Sequence, residues 1–94
     1  MEDDDVLCHE DSMKVLLLSA RIHSNNEKLQ KNTLNIIHAV GADEDDALML
    51  GKLGALQDTL TVMRVYGTKS SEISAHACHV IYRFIQKKIV SFFN

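Results

Sequence analysis

Residues 53–63 read Leu53-Gly54-Ala55-Leu56-Gln57-Asp58-Thr59-Leu60-Thr61-Val62-Met63, and residues 72–81 read Glu72-Ile73-Ser74-Ala75-His76-Ala77-Cys78-His79-Val80-Ile81. In the first stretch Leu53, Leu56, Leu60 and Met63, with Val65 beyond, return at close to helical spacing and predict an inward apolar stripe. Gly51 and Gly54 punctuate its start and Gly67 breaks it. In the second, Ile73, Ala77, Val80, Ile81, Phe84 and Ile85 lie on one side of a helix. Ser70 or Ser71 can cap that helix, with Glu72 in its first turn, and it is expected to reach about Val90.

Working outward, the first half of the chain has the same plan. Ser12 to Ile22 reads as a helix with Met13, Leu16, Leu17 and Ala20 inward, preceded by a degenerate turn over Val6 to Glu10. Leu29, Leu34, Ile36, Ile37 and Val40 mark a second helix. Ser24 and Glu27 form a capping-box pattern for a start near Asn25. Gly41 suits a left-handed helix end. Asp43 to Leu50 reads as a short helix with acids at its positive end. The chain has no proline to interrupt these helices.

The halves align. At an offset of 43, Met13 pairs with Leu56, Leu17 with Leu60, Arg21 with Arg64 and Ile22 with Val65. One extra residue near Gly67 moves the offset to 44, and then Leu29 pairs with Ile73, Thr33 with Ala77, Ile37 with Ile81 and Val40 with Phe84. Such a period falls within the range of about 40–47 residues of armadillo and HEAT repeats.

At this point the sequence resembles the armadillo repeat family. The Gly54-Ala55-Leu56 segment looks like the start of that family's second helix. The segment from Glu72 to Ile81 looks like the start of its third, where a β-branched residue is followed, four and five positions on, by two small ones. Asp11 stands where Gly54 does in the second half, and Thr33 and Leu34 replace the small pair. The resemblance spans roughly Val6 to Lys88. It implies an all-α fold of two tandem armadillo-like helical repeats, a short α-solenoid forming a fragment of a right-handed superhelix. The expected organisation is an acidic disordered tail over 1–5 and one helical domain over 6–94, with repeat one at about 6–42 and repeat two at about 43–88. A generic helical bundle, such as a death-fold-like adaptor, is the alternative.

The composition bears on function. Among 94 residues, 10 Lys and Arg against 13 Asp and Glu leave a net charge of −3, which argues against nucleic acid as a partner, since binding phosphates needs clustered cations. The N-terminus has no basic region of a signal peptide, and no apolar run approaches the roughly 18 residues of a membrane span. Two cysteines, Cys8 and Cys78, show no secretory framework, so a cytoplasmic or nuclear setting is expected.

Repeats stack to share a core, and their third helices line a concave surface suited to an extended protein segment or a partner helix. The design leaves no pocket for chemistry, so a non-enzymatic adaptor or scaffold without cofactor is expected. In importin-alpha-like members, Trp and Asn on the third helices hold the peptide. The matching positions here are Asn35 and His79, and Ala39 and Arg83, so neither ladder is kept. Instead His76, His79 and Arg83 fall on one helical face, extended by Lys87. That stripe suits an acidic or phosphorylated ligand, as catenin-like members suggest, because Arg can grip a carboxylate or phosphate with two hydrogen bonds. Asn32 and Asn35 supply the matching face of the first repeat.

The alternative function is a helical subunit that self-associates through the apolar C-terminal end, Ile89, Val90, Phe92 and Phe93. His76, Cys78 and His79, or Cys8 and His9, fall short of four converging zinc ligands. Cys78, at a small-residue position, is expected in the core and unreactive. The acidic runs lack the glycine and distal Glu of a calcium loop.

Overall fold

The computed structural model describes residues 2–87, with side chains from Glu10 onward. Five helices follow one another: α1 (Glu2–Ile22), α2 (Glu27–Val40), α3 (Glu44–Lys52), α4 (Ala55–Tyr66) and α5 (Ser71–Gln86). Among the described residues there is no strand, so the chain is all-α.

Side-chain caps set the starts of three helices. Asn26, Asp43 and Ser70 have extended backbone, and their side chains accept from the amides of Leu29, Asp46 and Ile73, each satisfying an amide the helix cannot pair itself. The cap of α2 is therefore Asn26 and not Ser24. Ser24 instead presents its carbonyl to Tyr66, whose hydroxyl donates to it at 2.7 Å. Helix α1 begins ten residues ahead of the expected Ser12 and takes in residues 2–5 and the stretch read as a turn. No Gly or Pro interrupts it, and Glu2 to Asp5 lie at its positive end.

Gly54 turns α3 into α4 with φ of 89°, a left-handed conformation that favours glycine. Gly41 does not do the same for α2: its φ is −69°. The space there is tight: an added Cβ would stand 3.0 Å from the Ile37 carbonyl oxygen and 3.5 Å from Cγ of Arg83.

The core is one cluster gathered from all five helices. Met13 and Leu17 of α1, Leu34 and Ile37 of α2, Ala47 and Leu50 of α3, and Ile73, Ala77, Val80 and Phe84 of α5 are buried. On α4 the buried face is rotated from the expected one. Ala55, Leu56, Thr59 and Tyr66 are buried, while Leu60 and Met63 are half-buried and Val65 is exposed. Thr59 tolerates full burial because its hydroxyl donates to the Ala55 carbonyl at 2.8 Å. Ile36 and Ile85, read as part of inward stripes, are exposed. Cys78 is exposed as well, correcting its core assignment: Ala77 occupies the buried position, and the next residue on a helix points about 100° away.

Helix α5 packs most extensively on α2 and on α4. Ile89, Val90, Phe92 and Phe93, with Lys88, lie outside the described residues. The side chains of Val6, Cys8 and His9 do too.

Candidate functional site

Helices α2 and α5 lie side by side and meet along their length. Near their starts, Lys31 Nζ donates to Glu72 Oε1 at 3.1 Å. Two turns further along each helix, the rings of His38 and His79 are 5.8 Å apart between centroids, tilted by 40°. Near the ends, Arg83 Nη2 lies 3.1 Å from His38 Nε2. The contacts advance together along both helices, so the two run in the same direction.

The Arg83 to His38 contact fixes a tautomer. A guanidinium nitrogen can only donate, so His38 accepts through Nε2 and its ring proton sits on Nδ1. The ring is therefore neutral. Burial is the first cause that holds the His38 pKa below the ordinary histidine value, followed by the positive charges of Arg83, His79 and His76.

Arg83 differs from the other cations that bridge helices. Lys31 pairs with Glu72, and Arg21 pairs with Asp58 at 2.8 Å. Among the described residues Arg83 has no carboxylate partner. Its Nε is buried with no acceptor, an arrangement that costs stability. Its stem runs past Gly41 at the end of α2, which places the guanidinium at the boundary between the two helices.

The residues singled out in the sequence divide into two groups. His79 and Arg83 both reach His38, the one by its ring and the other at 3.1 Å, and His76 lies one turn before His79 on the same helix. Lys87 is half-buried at the C-cap of α5, one turn beyond Arg83. Asn32 and Asn35 are exposed on α2, Asn35 one turn before His38, and neither makes a side-chain hydrogen bond among the described residues. His38 is the residue the sequence reading missed. Its signal was present: a basic side chain one helical turn past Asn35, facing the same way. Among the described residues no three His, Cys, Asp or Glu side chains converge on a point where a metal ion could sit, and no helix is long and apolar enough to cross a membrane.

The chain matches no protein-family model, no curated protein and no solved structure.

Proposed function

We propose that this chain is a non-enzymatic protein-binding module, an armadillo-like pair of repeats whose α2–α5 face holds an acidic, extended protein segment. The observation that carries the reading is Arg83: a half-buried cation grouped with His38, His76 and His79 and lacking a carboxylate among the described residues. A carboxylate or phosphate of a partner would fill that place. Asn32 and Asn35, exposed on α2, can take the partner's backbone.

The repeat reading draws support from the same interface. Lys31 to Glu72 and His38 to His79 each span 41 residues, and His38 to Arg83 spans 45. Equivalent helices of successive repeats stack in parallel at about this separation.

Titration with a fluorescent Asp/Glu-rich peptide, with and without phosphoserine, tests the proposal. Binding by the intact chain should be lost in Arg83→Met and weakened in His79→Glu, with helicity unchanged. Equal binding by wild type and Arg83→Met would remove the α2–α5 face from the function.

A second reading, self-assembly, is favoured by an exposed apolar stripe on α1: Val15, Leu18 and Ile22 are 66%, 54% and 66% exposed. They recur at i, i+3 and i+7. A concentration-independent monomer in light scattering would eliminate it.

A further inference from the structure

Between α1, α2 and α4 the helices leave a half-enclosed gap of about 320 Å³. Its apolar wall is formed by Leu17, Leu34, Ile37 and Val62. The gap also meets polar side chains, but their donors are directed to the backbone. Thr33 Oγ1 donates to the Leu29 carbonyl at 2.7 Å and Thr59 Oγ1 to that of Ala55 at 2.8 Å. Gln30 Nε2 donates to the carbonyls of Ala20 and His23 at 3.1 and 3.0 Å.

Arg21 near the end of α1 forms a strut to α4 and to the residue that ends α3. Its Nε donates to both oxygens of Asp58 at 3.0 Å, and its Nη2 donates to the Leu53 carbonyl at 2.8 Å. The Asp58 carboxylate, chiefly by this hydrogen bond, holds the Arg21 pKa above its ordinary value. Arg21 and Asp58 both line the gap. These bonds run through Nε and Nη2, so Nη1 of Arg21, a residue that lines the gap, keeps its donors for a further acceptor.

We propose that this gap is a binding site for one small, mainly apolar molecule of bicyclic size, with a single hydrogen-bond acceptor seated on Arg21. The size follows from volume: an apolar cavity of about 150 Å³ holds a benzene ring, and this one has about twice that space. It also reaches the roughly 300 Å³ at which small-molecule sites begin. The residues involved are not those of the α2–α5 cluster, so the two sites stand or fall separately.

The test is a titration of the full chain with 2-naphthol and with 2-methylnaphthalene, followed by methyl NMR. Saturable shifts are expected at Leu17, Leu34, Ile37 and Val62. The naphthol should bind several-fold more tightly, reflecting one added hydrogen bond. Val62→Phe fills the gap and should weaken both ligands by about tenfold or more. If circular dichroism shows that Val62→Phe does not fold, Thr61→Phe, at an exposed position on the rim, closes the mouth and should have the same effect. Shifts confined to Val15, Leu18 and Ile22, or undiminished binding by the folded filling variant, would overturn the site. Equal affinity for the two probes would overturn the Arg21 contact.

Discussion

Gly54 shows how much a single residue decides here. At φ of 89° a side chain is strained by about 1–2 kcal/mol, and a Cβ would also stand 3.3 Å from Arg21 Nη2. Gly54→Ala should therefore destabilise the chain by at least that amount in urea denaturation. Phe84, 1% exposed, should cost about 3–5 kcal/mol on truncation to Ala, because its removal opens a cavity in the core. Leu60→Ala should cost less, since Leu60 is only half-buried. Arg83→Met should change stability little, because it deletes a buried donor that has no acceptor together with the bond to His38, and keeps the apolar stem. Cys78, exposed on α5, should react with a maleimide in the native state, as mass spectrometry would show.

Between elements, the α2–α5 boundary couples folding to pH. The His38 pKa is lower in the folded chain than in the unfolded one, so the unfolded state binds more protons as the solution is acidified. Stability is therefore complete above the unfolded value of about 6.5 and declines as pH falls through it toward the folded value. Melting temperature should drop between pH 7.5 and 5.5, and His38→Gln should flatten part of that slope. An acidic ligand reverses the sign for binding. A carboxylate beside His38 favours its charged form, so affinity for the acidic peptide should rise over the same interval. A flat affinity profile would show that His38 does not face the ligand.

For the molecule as a whole, the exposed stripe of Val15, Leu18 and Ile22 on α1, with Tyr82 and Ile85 on α5, leaves apolar surface at two places on a small fold. Replacing Val15 and Ile22 with Lys should improve solubility without lowering the melting temperature, and should abolish any dimer seen by light scattering. The sequence by itself determined that the chain is helical, where four of the five helices lie, and which residues of α1, α2 and α5 form most of the core. It could do so because apolar spacing, glycines and caps act within a few residues along the chain. It also singled out His76, His79 and Arg83, which share one helix face by periodicity alone. It took the packed helices to decide that His38 joins His79 and Arg83, that Thr59 and Tyr66 rather than Val65 turn inward, that Cys78 faces out, and that a gap lies beside Arg21. Each of those depends on how one helix is rotated and spaced against another. That is settled by packing between residues some 40 positions apart, which periodicity within a single helix does not encode.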